Sequence, residues 1–219
     1  MNKENYDKIG YAKYNNFLSN EYIELLNDTI DKLLVNIIVD ENVFDENNTG
    51  KIKQIQYLHK RDEIFNGLID KIKPIIYELL GHENYSILNM QLFEKHPYIS
   101  KPTRAHQDNA YFKQSPPTPL TIWIALDDID EENGCVYYSE YSHLEPTKKH
   151  SRYNNNTTFR TRSGVPGLSL CLHEHEEKND IPIIVEKGDI LVHNCNTIHR
   201  AGKNISNRRR RAIGTNHSK

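Results

Sequence analysis

His106 and Asp108 stand two residues apart, and His199 lies far downstream of them. Two imidazoles and one carboxylate are the donor set of a facial triad that holds non-haem Fe(II) with positions left open for reactants. On an extended strand, residues i and i+2 point to one face, so His106 and Asp108 can grip a single ion while Gln107 faces away. Arg210 follows His199 by eleven residues, inside the run Arg208 to Arg211. Its guanidinium is a planar fork that keeps its charge and suits the distal carboxylate of an acidic co-substrate. These four residues propose a metal and a second reactant together.

A lone His-x-Asp is weak in a chain with eleven histidines, so its rivals matter. His193, six residues ahead of His199, competes for the place of third ligand, although a histidine in an apolar run is usually a satisfied core residue. His173 and His175 alternate and could share a strand face as a ligand pair. Their acid-rich surroundings read instead as an exposed hairpin. Four consecutive arginines on a strand would split two and two between its faces.

The elements that must position these groups fall into two parts. Ser19 is a candidate N-cap, after which Ile23, Leu26, Ile30, Leu33, Leu34 and Ile37 recur at helical spacing until the polar stretch 40–50. A second helix follows Asp62, with apolar residues from Ile64 to Leu79, Pro74 as a possible kink and Gly81 as its C-cap. Beyond Gly81 the period shortens toward two. Strands are predicted at Ser86–Phe93, Leu120–Leu126, Cys135–Tyr138, Leu168–Leu172, Ile181–Val185, Ile190–His193 and Arg211–Thr215, separated by turns such as Asn133-Gly134 and Gly188-Asp189. Short strands in this number indicate a sandwich or barrel. Segment 148–163 is polar and long enough to serve as a lid or as a plain surface excursion.

The chain has 219 residues, which fits one domain, and 28 basic against 30 acidic residues. That balance gives no field favouring nucleic acid or a membrane surface. No long apolar run or leader-like N-terminus occurs, and Cys135, Cys171 and Cys195 lack Cys-x-x-Cys spacing, so buried thiols in a cytoplasmic protein are expected. The partner expected is a small molecule, with the chain acting as a monomer or homodimer.

Read in order, His106-Gln-Asp108, Trp123, Asn133-Gly134-Cys135, Lys187-Gly188-Asp189-Ile190, His199 and Arg210 resemble the phytanoyl-CoA dioxygenase family of Fe(II)/2-oxoglutarate oxygenases. The resemblance runs from about Gln91 to Ala212. It implies a mainly β protein with flanking helices, a double-stranded β-helix (jelly roll, cupin-like). One domain would cover 1–219, with a helical part at about 17–80 and the jelly-roll core at about 85–216. It also implies Fe(II) on His106, Asp108 and His199, 2-oxoglutarate as co-substrate with its C5 carboxylate on Arg210, and O2. Gln91, Trp123 and Lys53 (or Gln54 beside it) match positions lining the co-substrate pocket, and Asn204 matches a residue that shapes a turn. Tyr98 and Tyr111, flanking the His106 motif, are candidates for the substrate pocket or for simple packing.

Two departures stand out. Tyr141-Ser142-His143 replaces a Gly-Ser-His of relatives, so no role is carried to His143, and eight residues follow Arg211, which leaves cover for the site to a segment such as 148–163. Halogenating relatives have a small residue in place of the carboxylate ligand. With Asp108 present, hydroxylation is the implied outcome. The rival from another class is a non-catalytic or otherwise metal-dependent jelly-roll binding protein, against which the retained Arg210 argues.

Overall fold

Helical periodicity in the first third produces two amphipathic helices. The computed structural model describes residues 2–37, 43–46, 49–81, 85–114, 120–152, 160–161 and 170–218. In them, α1 (Asn2–Ile9) precedes α2 (Asn20–Asn36) and α3 (Ile64–Leu80). The Ser19 hydroxyl accepts the Tyr22 N–H at 3.3 Å, as the cap reading expects. Gly81 ends α3 with φ +72°, donating its N–H to the Tyr77 carbonyl at 2.9 Å. The helix is continuous through Pro74, which lies on its exposed side. No helix of the described residues is long and apolar enough to cross a membrane.

The strands are β1 (Tyr11–Tyr14), β2 (Val43–Asp45), β3 (Ile52–Gln56), β4 (Ser86–Lys95), β5 (Thr103–His106), β6 (Leu120–Ala125) and β7 (Val136–Tyr138). They continue with β8 (Ser151–Arg152), β9 (Arg160–Thr161), β10 (Leu170–Cys171), β11 (Ile181–Ile183), β12 (Ile190–Asn194), β13 (His199–Ala201) and β14 (Arg210–Ser218). A one-turn helix α4 (Asn109–Phe112) follows β5. The larger sheet has the order β1-β12-β6-β14-β4-β3-β2-β9, the smaller one β11-β7-β13-β5, and β8 pairs with β10. All of these pairs are antiparallel. This is the double-stranded β-helix that the resemblance implies. Segment 148–163 lies mostly outside the described residues; its described ends supply β8 and β9.

Alternation along the strands sorts the two faces of the larger sheet. Met90, Leu92, Ile122, Ile124, Ile190, Val192 and Ile213 pack with Ile23, Leu26, Ile30, Phe65, Leu68, Ile72 and Ile76 of α2 and α3. Their in-between neighbours Trp123, Ala125, Leu191 and Ala212 face the smaller sheet and cluster with Val136 and Tyr138. The chemistry sits in the space between the sheets, and its outer wall is the helix-backed core.

Two strands, β2 and β3, lie within the stretch that reads as helical, and β1 precedes it. β1 adds to the edge of β12, and β2 and β3 extend the sheet past β4. β2 opposes β3 with Phe44 facing Gln54 and Asp45 facing Ile52, so Lys53 is the extra residue of a bulge. The arginines also divide differently from the expected two and two. Arg208 and Arg209 precede β14 and pair with Asp130 and Asp127, Arg210 turns between the sheets, and Arg211 turns to the helix side.

Candidate metal centre

β5 and β13 are neighbours in the smaller sheet, with His106 directly opposite His199. Asp108 completes the group: donor atoms of His106, Asp108 and His199 all lie within 4.8 Å of one another. Both imidazole Nε2 atoms are 3.6 Å from Asp108 Oδ1. Asp108 does not reach this place by strand alternation. β5 ends at His106, and Asp108 has helical dihedrals (φ −60°, ψ −33°) at the start of α4, which folds its carboxylate back toward the histidines. Gln107 does face away, bonding to the Asn196 carbonyl and the Lys148 N–H.

Each imidazole is oriented by a backbone carbonyl. His106 Nδ1 is 2.8 Å from Arg104 O and His199 Nδ1 is 3.0 Å from Thr197 O. A donor on Nδ1 leaves Nε2 with a lone pair aimed at the centre, the tautomer a metal ligand needs. Burial, reinforced by the neighbouring histidines, lowers both imidazoles to about 4, so they are neutral at physiological pH. Burial alone would raise Asp108, but His199, His193 and His106 outweigh it and hold the carboxyl well below its usual range. Neutral imidazoles with an ionised carboxylate are the protonation states that bind a divalent metal.

His193 is not a third ligand in competition with His199. Its Nδ1 lies 2.8 Å from the Tyr138 hydroxyl and its Nε2 3.2 Å from Asp108 Oδ2, so both nitrogens are engaged. A hydroxyl donating to Nδ1 fixes the proton on Nε2, which donates to the carboxylate. The Thr121 hydroxyl also donates to Oδ2, and Asn216 Nδ2 supports Thr121 at 2.8 Å. Oδ2 is thereby held by the larger sheet and Oδ1 is left facing the histidines. Sequence reading missed Tyr138, Thr121 and Asn216. Thr121 and Asn216 sit on the same strand faces as Trp123 and Arg210, and that alternation was the available signal.

The remaining candidates separate. Arg210 is 3% exposed, donates through Nε and Nη2 to the Gly134 carbonyl (3.1 and 2.9 Å), and lies 5.1 Å from the Trp123 ring. Among the described residues it has no carboxylate partner. Burial lowers its pKa to about 10, still a cation at neutral pH. Gln91 and Trp123 face each other across Gly214 of β14, and Gln54 donates to Gln91. Lys53, the bulge residue, is 3.8 Å from Glu46. Tyr111 stands edge-on to His106, 5.8 Å between ring centres, with its hydroxyl on Leu170 N–H. Tyr98 is 71% exposed in a left-handed turn, and no described contact ties it to the triad. His175 pairs with Asp180 and His173 approaches Cys171, so neither joins the triad. Asn204 bridges Lys95 O and Arg208 O and shapes the turn before β14.

The sequence profile of the phytanoyl-CoA dioxygenase (PhyH) family matches residues 6–212. The chain belongs to this family. Phytanoyl-CoA dioxygenase 1 of Oryza sativa subsp. japonica is 25% identical over 210 residues, 90% of this chain and 71% of the relative. Across the curated relatives the chain spans from about half of their length to that 71%. Among solved structures, EvdO2 from Micromonospora carbonacea var. aurantiaca complexed with 2-oxoglutarate aligns with TM-score 0.77 and 22% identity, over 100% of this chain and 90% of that one. The epimerase SnoN in complex with Fe3+, alpha ketoglutarate and nogalamycin RO aligns with TM-score 0.74 and 17% identity, over 99% and 82%. These structural likenesses establish the fold of this PhyH-family chain.

Proposed function

We propose that this chain is an Fe(II)/2-oxoglutarate-dependent oxygenase, one catalytic domain that hydroxylates a small-molecule metabolite. His106, Asp108 and His199 hold the iron, and Arg210 takes the C5 carboxylate of 2-oxoglutarate, with Gln91, Trp123 and Lys53 lining its site. The observation that carries the reading is the pairing of a pre-oriented three-ligand group with a buried arginine that, among the described residues, bonds to a carbonyl and to no carboxylate. A buried guanidinium in that condition is costly unless an anion completes it. A metal-binding module that does no chemistry has no use for one.

Bound iron would supply activation of O2, coupled to decarboxylation of 2-oxoglutarate to succinate and CO2. The protein's own residues contribute orientation and dryness. Arg104 O and Thr197 O fix the imidazole planes, while His193 and Thr121 hold Asp108 by Oδ2. Trp123 lies against the Arg210 guanidinium and shields it from water, which strengthens its grip on a carboxylate. Tyr111 walls the centre beside His106. Beside the Asp108 turn lies an open cavity of about 500 Å³ lined by Asn109, Lys113, Gln114, Lys148, His150 and Leu170. Lys113 and Lys148 in that lining suit a metabolite carrying a polar or acidic group better than a bare hydrocarbon. Asp108 occupies the position that a halide would need, which favours hydroxylation.

The test is an anaerobic titration of the protein with Fe(II) and 2-oxoglutarate. A weak visible charge-transfer band and a 2-oxoglutarate-dependent rise in Tm are expected. Absence of both would sink the oxygenase reading in favour of a binding protein on the same scaffold.

A further inference from the structure

Lys95 is the last residue of β4 and stands directly opposite Arg210 of β14. Directly opposed residues share a sheet face, so an ammonium and a guanidinium project together between the sheets. Both pack over the same turn: Arg210 donates to Gly134 O, and a Cβ built on Gly134 would come within 2.8 Å of Lys95 Cδ. Lys53, at the β3 bulge, lies near enough for its charge to act on Lys95 and to feel Arg210, with Glu46 beside it at 3.8 Å. Lys95 is 3% exposed, and the hydrogen bond it makes is to the Lys101 carbonyl at 2.7 Å. Among the described residues it forms no ion pair.

Like charges set opposite each other in a sheet repel, and an ammonium removed from water without a counter-anion is expensive. Such a group sheds its proton instead. Lys95 and Arg210 stand side by side, and among the described residues neither pairs with a carboxylate, an arrangement that an anion would offset. These groups lie at the Arg210 end of the space between the sheets.

We propose that Lys95 is a further binding residue for the co-substrate's distal carboxylate, and that it gains its proton as the dicarboxylate enters. The inference rests on the oxygenase reading and adds to it a proton coupled to co-substrate binding. Burial, then Arg210 and Lys53, push the Lys95 ammonium well below its ordinary value, with Glu46 acting weakly the other way. The groups facing it are Arg210 from β14, Lys53 from β3, Glu46 after β2 and the Lys101 carbonyl after β4.

The experiment is isothermal titration calorimetry of 2-oxoglutarate into the Mn(II)-loaded chain at one pH near 7.5, in Hepes and in Tris. These buffers differ in ionisation enthalpy, so proton uptake appears as a difference in heat. Net proton uptake on 2-oxoglutarate binding is expected. Lys95→Met should abolish the uptake and weaken binding about tenfold or more. Lys95→Arg keeps a permanent cation and should bind without uptake, which also covers a failure of the methionine variant to fold. Equal heats in both buffers for the unaltered chain, or uptake that survives in Lys95→Arg, overturn the role of Lys95 while leaving the oxygenase reading intact. No binding of 2-oxoglutarate at all overturns both.

Discussion

Arg210 and Arg211 are adjacent on β14, and replacing each by leucine should have opposite consequences. Arg211 faces the helices, with Nε and Nη2 each 3.0 Å from Glu94 Oε2, Nη1 3.1 Å from Asn27 Oδ1 and Nη2 2.9 Å from Asp31 Oδ1. Both Arg211 and Glu94 are buried. Removing the cation strands the carboxylate, a loss of about 3–5 kcal/mol for a broken buried pair. For a chain of this size each kcal/mol moves Tm by roughly 2–4 °C, so Arg211→Leu should unfold roughly 6–20 °C lower. Arg210 has no such partner among the described residues and sits among Lys95 and Lys53. Arg210→Leu removes a buried cation that lacks a carboxylate partner, against the loss of its bonds to Gly134 O, and should leave Tm of the ligand-free protein little changed. Its cost falls on the co-substrate: truncating one side of a buried charge pair removes about 2–5 kcal/mol, or roughly 30- to several-thousand-fold in Kd. Differential scanning fluorimetry of the Mn(II)-loaded proteins reads both effects. At 2-oxoglutarate one hundred times its Kd, the unaltered chain gains about 2.7 kcal/mol, and this shift should survive scaled in Arg211→Leu and fall to about 0.9 kcal/mol or less in Arg210→Leu. A loss of Tm in Arg210→Leu equal to that in Arg211→Leu, or an undiminished 2-oxoglutarate shift, would refute the assignment of opposite faces to opposite tasks.

Asp108→Ala should abolish metal-dependent 2-oxoglutarate turnover while the far-UV circular dichroism stays native; normal turnover in that variant would end the triad assignment. Tyr138→Phe removes the hydroxyl that fixes the His193 tautomer, and should weaken metal affinity about 10- to 100-fold in competition with a chelator, a span typical of groups that orient ligands. His217 is fully buried, and burial lowers its pKa from 6.5 to about 4. The unfolded chain therefore takes up a proton there in the window from about 6.5 down to about 4, where the folded one does not, so this contribution to stability is present above the window and lost as pH falls through it. The loss amounts to about 3 kcal/mol at most, and urea unfolding of His217→Phe should show a flatter pH dependence than the unaltered chain.

The apolar spacing of α2 and α3 and the alternation of β6, β12 and β14 were legible because each element buries one face against the other. β3 was not legible from its sequence, Ile52-Lys-Gln-Ile-Gln56, since its inward residues face a polar pocket and its bulge breaks the period. β1 is short and lies in an Asn/Lys-rich stretch, where local composition says surface although pairing with β12 says sheet. At the centre, His106 and Asp108 could be named from type and spacing and His199 from the family resemblance, but Asp108 arrives by a helical turn that strand alternation does not describe. Lys95 escaped notice because charged residues usually mark the end of a strand. Only the register with Arg210 reveals that it points inward.

One consequence follows from how Asp108 is held. Its backbone belongs to the segment leaving the smaller sheet, yet its Oδ2 is fastened by His193 and Thr121 of the larger one. The carboxylate is therefore a rivet through the seam of the sandwich, in place before any ion arrives. A metal on its Oδ1 and on His106 and His199 would tighten that rivet. Chelation should then be felt mechanically, as faster amide hydrogen exchange at the open rim of β5 and β13, with the helix-backed sheet left undisturbed.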